Sequence, residues 1–122
     1  MNNDIKERTF AFGLRIINLS YHLPESRAGK ILCNQILRSG TSIGANVEEA
    51  TAAYSREDFT FKMNIALKEA RETNYWLRLI RGSDLLKPNR LWEILAESEE
   101  IKKVLGSIVS KVRRNSKFKN QK

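Results

Sequence analysis

Lys111, Arg113, Arg114, Lys117, Lys119 and Lys122 place six cations in the last dozen residues of the chain, with no acid among them. Side chains of this kind hold phosphate groups through charge, without reading sequence. The whole chain has 122 residues, 22 Lys and Arg, 14 Asp and Glu, and a formal net charge of +8. Setting the terminal cluster aside leaves 16 cations against 14 acids, so the body is nearly balanced. The basic end is therefore a candidate nucleic-acid-binding arm, for RNA or DNA. Identical arms in an oligomer would sum weak contacts through avidity. Arg8 and Arg15 lie one above the other on the first helical segment, and Arg71 and Arg78 do so on the third. Either pair would extend a phosphate-binding face, and either equally suits an ordinary solvated helix surface.

A second constellation is polar and small. Ser39, Ser42, Asn46 and Glu49 recur along one side of the second helical segment, and Glu69 and Glu72 lie on the third. Facing each other, they would form either a carboxylate-bearing seam or a hydrogen-bonded helix–helix contact that fixes register. The packing role is the expectation, with Arg38, Lys62 or Arg71 as partners for the carboxylates.

Other chemistry lacks its parts. A di-iron bundle needs Glu-x-x-His pairs on two helices, and His22 is the single histidine. One cysteine, Cys33, makes neither a zinc site nor an internal disulfide. Ser39, Thr41 and Ser42 have no histidine base on their own helix. Gly40-x-x-x-Gly44 is not followed by the Lys-Ser/Thr of a phosphate loop. No catalytic residue, metal site or cofactor is expected, so the chain reads as no enzyme. The N-terminal residues do not form a signal peptide, and no apolar run reaches the roughly 20 residues of a membrane span. A reduced, cytoplasmic protein is the expectation.

These side chains need elements to carry them, and the periodicity supplies four helices, at about 5–23, 26–53, 56–82 and 89–114. Residues 115–122 are expected to form a flexible basic tail. In the first helix Phe10, Leu14, Ile17 and Tyr21 make one apolar row. Ile5, Phe12, Ile16, Leu19 and Leu23 make another on nearly the opposite side. The second helix has a core row of Leu32, Ile36, Ile43, Val47 and Tyr54. Its central glycines, Gly40 and Gly44, mark either a close approach by a neighbouring helix or a break. The third helix pairs Phe59, Met63, Ala66, Ala70 and Leu77 with a second row of Phe61, Ile65, Trp76 and Leu79. Ser55 with Asp58 reads as its N-cap. The fourth carries one stripe: Leu91, Ile94, Ser98, Ile101, Leu105, Ile108 and Val112.

Four helices joined by short loops predict an all-α, antiparallel up-down-up-down bundle. One row per helix fills such a core. The spare rows then belong at a subunit interface formed by Phe12, Ile16, Leu19, Phe61, Ile65 and Trp76. A homo-oligomer follows.

The segment Leu37-Arg38-Ser39-Gly40-Thr41-Ser42-Ile43-Gly44-Ala45-Asn46-Val47-Glu48-Glu49 resembles the second-helix signature of the 23S rRNA intervening-sequence four-helix-bundle family. Ser55, Asp58-Phe59 and the run Ala66-Leu67-Lys68-Glu69-Ala70-Arg71-Glu72-Thr73-Asn74-Tyr75-Trp76-Leu77 resemble its second strong block. The likeness extends over nearly the whole chain. Ala50 departs from it, since relatives often carry Gly there. The resemblance implies an antiparallel bundle assembled as a ring-like homopentamer, with no established enzymatic role. A related branch, the accessory variability determinant of diversity-generating retroelements, works with a reverse transcriptase and its RNA. The resemblance thus adds a protein partner such as a reverse transcriptase to RNA or DNA as a possible ligand. The rival to nucleic-acid binding is a protein-interaction scaffold that touches no nucleic acid.

Overall fold

The computed structural model describes the backbone of residues 3–120 and the side chains of residues 4–115. Four helices and no strand occur among them: α1 Asn3–Ser20, α2 Arg27–Thr51, α3 Arg56–Gly82 and α4 Trp92–Asn120. A short 3-10 turn, Pro88–Arg90, leads into α4. Two helix starts are fixed by serine caps. The Ser26 hydroxyl accepts from the Gly29 amide at 3.1 Å, and the Ser55 hydroxyl from the Asp58 amide at 3.0 Å. Each satisfies an amide that the first turn leaves without a partner, and Glu57 and Asp58 oppose the positive end of the α3 dipole. At the other boundary, α4 outruns its expected end near Arg114 and continues to Asn120. No Gly or Pro interrupts residues 107–122, and Lys and Arg are good helix formers. The backbone of residues 115–120 is therefore part of α4, where a flexible tail was expected.

The glycines of α2 mark a close approach, and the helix is unbroken. A Cβ on Gly40 would lie 2.8 Å from Ile16 Cγ2, and one on Gly44 would lie 3.3 Å from the Thr9 backbone. α1 thus lies directly on the α2 backbone, with early α1 residues against late α2 residues. Against α3, the Ser39 and Thr73 hydroxyls hydrogen-bond at 2.8 Å, both fully buried. Between α3 and α4, the buried Asn74 amide donates to Ser98 Oγ at 3.1 Å and to Glu99 Oε2 at 3.0 Å. α1 closes on α4 as well, so the four helices enclose one core. Its largest members are Phe12, Ile16, Ile36, Ile43, Met63, Leu77, Ile80, Ile101 and Leu105.

Three of the expected interface residues are in that core. Phe12 and Ile16 are fully buried and Leu19 is 6% exposed, all within the single chain. The row expected to face inward, Phe10, Leu14, Ile17 and Tyr21, is instead exposed. The reason is a polar residue. Ile5, Thr9, Phe12, Ile16, Leu19 and Leu23 form the longer row, at spacings of four and three, and all six are buried. Thr9 is admitted because its hydroxyl donates to the Ile5 carbonyl at 2.8 Å. On α3, Ile65 and Trp76 are half-buried, with Trp76 packed against the core; Phe61 remains exposed. Tyr54 lies beyond the end of α2 and is exposed, so it is not part of the core row.

Two outcomes test this packing. Gly40→Ala should lower stability by about 1–3 kcal/mol, because a buried β-branched side chain blocks the new methyl. Gly106→Ala in α4, where an added Cβ meets nothing within 4 Å, should raise it by up to about 1 kcal/mol through helix propensity. Denaturant melts of both variants decide the signs. Separately, Phe12→Ala should cost about 3–5 kcal/mol as a core cavity, read by thermal unfolding.

Candidate nucleic-acid interface

Charge on this bundle is sorted by the way its carboxylates are held. On α3, Glu69 and Glu72 both turn toward α2. There the Arg38 guanidinium takes Glu69 at 3.3 Å and pairs with Glu72. Trp76 Nε1 also donates to Glu72, at 3.2 Å. Further along the same seam Lys62 of α3 holds Glu49 of α2 at 2.7 Å, and that carboxylate raises the lysine pKa above its ordinary value. On α4, Glu97 and Glu100 turn toward α1. Arg8 donates to Glu100 at 2.9 Å, and Arg15 Nε donates to Glu97 at 2.7 Å within a two-point ion pair. The Glu97 hydrogen bond holds the Arg15 pKa above its ordinary value.

What remains is the side shared by α3 and α4. Lys68, Arg71 and Arg78 are exposed there, and Arg113 of α4 reaches over to donate to Asn64 Oδ1 at 3.1 Å. Arg78 Nε donates to Asn74 Oδ1 at 3.0 Å, so the buried asparagine that joins α3 to α4 also aims this cation. Glu99, which accepts from the same asparagine, pairs with Lys102 at 3.4 Å. Among the described residues no carboxylate forms an ion pair with Lys68, Arg71, Arg78, Lys111, Arg113 or Arg114. Of these, Lys68, Arg71, Arg78 and Arg113 share the α3/α4 side, and a cluster of unpaired cations is suited to polyanions.

The opposite side has another character. α1 packs on α2 and α4, and α3 packs on the same two, so the α1/α2 side lies across the bundle from the α3/α4 side. Phe10, Leu14 and Ile17 line a cleft of ≈ 450 Å³ with Gly44, Ala45 and Glu48 of α2. Phe10 is 61% exposed and Tyr21 79%. This is an apolar surface edged by acids.

The residues singled out from sequence thus divide. Lys111 joins Asp4, Arg8 and Lys103 at a cleft of ≈ 640 Å³ floored by Ile5, Phe59 and Val104. Arg8 and Arg15 are engaged by α4 glutamates, which weakens them as phosphate ligands. Arg113 is brought to α3, and Arg114 is exposed. The side chains of Lys117, Lys119 and Lys122 lie outside the described residues. Ser42 and Asn46 bond along their own helix, to the Arg38 and Ser42 carbonyls, while Ser39 and Glu49 cross to Thr73 and Lys62 of α3. The row is a packing seam. Sequence reasoning did not single out Lys68, and it weighed Arg71 and Arg78 against an ordinary solvated helix surface. Arg38, named as a partner for the carboxylates, takes both Glu69 and Glu72. His22 is exposed, with Nδ1 3.1 Å from the Asn18 carbonyl at the end of α1. Among the described residues no three His, Cys, Asp or Glu side chains gather as metal ligands, and no helix is long and apolar enough to cross a membrane.

Comparison with known proteins adds a lineage. A crystal structure of a protein of unknown function from the S23 ribosomal protein family of Bacteroides thetaiotaomicron is 46% identical to this chain. It matches 86% of this chain and 97% of its own, with a TM-score of 0.80. No curated protein matches the chain. The family model for the 23S rRNA-intervening sequence protein matches residues 1–107, spanning three whole helices and half of the fourth, and on that match the chain belongs to the 23S rRNA-intervening sequence protein family.

Proposed function

We propose that this protein is a non-enzymatic nucleic-acid-binding subunit: an antiparallel up-down-up-down bundle that assembles with its own copies. The α1/α2 side is the assembly surface, and the α3/α4 side with the end of α4 is the binding surface. One observation carries the reading: Arg38 draws Glu69 and Glu72 of α3 toward α2, and Arg15 and Arg8 draw Glu97 and Glu100 of α4 toward α1, while Lys68, Arg71, Arg78 and Arg113 on the α3/α4 side form no ion pair among the described residues. The exposed Phe10–Leu14–Ile17–Tyr21 row supports self-assembly, because isolated subunits rarely expose so contiguous an apolar surface. The ring-like homopentamer implied by the family resemblance is one assembly that would cover it. A reverse transcriptase or another protein partner would meet the same surface in the rival reading, a scaffold without nucleic acid.

Binding should be electrostatic. Fluorescence anisotropy with a single-stranded RNA should show affinity falling log-linearly with salt, with a steep negative slope. The triple variant Lys111→Gln/Arg113→Gln/Arg114→Gln should reduce that slope by about two, at about 0.7 per lost phosphate contact. Affinity that ignores salt, or no binding at low salt, refutes the reading. Partners captured in nuclease-treated extract by a protein that binds no RNA would favour the scaffold. For assembly, Phe10→Glu/Leu14→Glu should lower the mass measured by light scattering while the helical circular dichroism is kept. An unchanged mass removes α1 from the interface.

A further inference from the structure

The basic face of α3 also carries aromatic rings, in register with its cations. Phe61, Lys68 and Tyr75 are seven residues apart, as are Asn64, Arg71 and Arg78. Seven residues are about two turns, so each set is a straight row with a step of about 10.5 Å, and the two rows run side by side. The second row has an asparagine where a third cation would fit, and Arg113 of α4 bonds to that asparagine. The result is a line of three guanidinium groups, from Arg113, Arg71 and Arg78, parallel to a line that reads ring, cation, ring.

The rings are available. Phe61 is 60% exposed and Tyr75 46%. Phe61 shares an open cleft of ≈ 520 Å³ with Arg56, Glu57, Thr60, Asn64, Val112 and Arg113, two cations against one acid. Tyr75 is braced edge-on by Trp76, with centroids 5.2 Å apart, and the Arg78 guanidinium lies 5.6 Å from the Tyr75 centroid. Beside Phe61 the cation is Lys62, whose Nζ lies 5.9 Å from the ring centroid. Trp76 is in turn anchored through Glu72 to Arg38, so the brace belongs to the same network that draws Glu69 and Glu72 toward α2.

Phosphate binding alone needs no exposed aromatic ring. Stacking needs a base with a free face, and a duplex hides those faces inside its stack. α3 is also flanked by α2 and α4, so it cannot enter a duplex groove as an isolated helix would. We propose that the α3/α4 face is a track for a single strand of nucleic acid, its phosphates on Arg113, Arg71 and Arg78 and its unpaired bases on Tyr75 and Phe61. This rests on the proposed nucleic-acid binding and adds strandedness and the stacking residues to it. RNA and DNA single strands share this chemistry.

The test compares oligouridine RNA, oligothymidine DNA and an RNA duplex of equal length by fluorescence anisotropy, on the full chain. Single strands should bind more tightly than the duplex. Tyr75→Ala should weaken single-strand binding about tenfold and leave the duplex unchanged. Phe61→Ala should act in the same direction, and Tyr75→Phe should retain binding. Arg71→Gln/Arg78→Gln should weaken all three probes and flatten the salt slope. Tighter oligouridine than oligothymidine binding assigns the strand as RNA, and equal affinities assign a track indifferent to the sugar. The proposal is overturned if the Tyr75 and Phe61 variants lose nothing, if they weaken duplex and single strand alike, or if Tyr75→Ala lowers the assembly mass. Nucleic-acid binding itself would survive those results. Failure of the unsubstituted protein to bind any probe overturns both.

Discussion

The contact between Ile16 and the bare backbone at Gly40 governs this bundle. A β-branched side chain sits where a Cβ would be, 2.8 Å from its Cγ2, so α1 has one rotation in which it can lie this close to α2. That rotation buries Phe12, Ile16 and Leu19 and turns Phe10, Leu14, Ile17 and Tyr21 outward. Two glycines in a helix interior cost about 1 kcal/mol each against alanine, which the shorter interhelical distance and denser packing must offset. The exposed apolar side of α1 is therefore a consequence of how the core closes. A bulkier α2 would push α1 away and release the choice of which row goes inside.

A second constraint sits across the core. Asn74 is 1% exposed and uses both ends of its amide, donating to Ser98 and Glu99 and accepting from Arg78. A buried amide without those partners would cost a desolvation penalty of about 1–3 kcal/mol, so register slips between α3 and α4 are disfavoured. The same hydrogen bonds link packing to surface charge, because the acceptor end of the amide orients a guanidinium at the basic face. Ser39 and Thr73 play the corresponding part between α2 and α3 without reaching the surface.

The sequence made the helices legible and left the rotation of α1 ambiguous. Four amphipathic segments, the Ser55 cap and the start of α3 follow from periodicity and side-chain chemistry, and α3 matches its expected bounds. α1 carries two apolar rows, and hydrophobicity alone favours neither. Counting Thr9 as a core position would have decided it, since it completes a run from Ile5 to Leu23. Thr9 pairs with the backbone of its own helix and so enters the core without a partner across it. The α3 surface was hidden for a related reason. Arg71 and Arg78 suit an ordinary solvated helix as well as a phosphate-binding one, and the pairing of Glu69 and Glu72 with Arg38 separates the signs. Charge balance in a segment says little about charge balance on a face.

That separation has a structural consequence for assembly. The apolar α1/α2 side and the basic α3/α4 side lie across the bundle from each other, so covering one leaves the other open. An oligomer joined through α1 would repeat the α3 track once per subunit around its exterior. Tracks held at fixed spacing convert each further contact with the same strand into an intramolecular step, and modest affinity per subunit then suffices. The near-balanced charge of the body favours the same arrangement. Self-repulsion at surfaces joined through α1 and α2 would stay small, because cations and acids are nearly equal in number outside the basic C-terminal end.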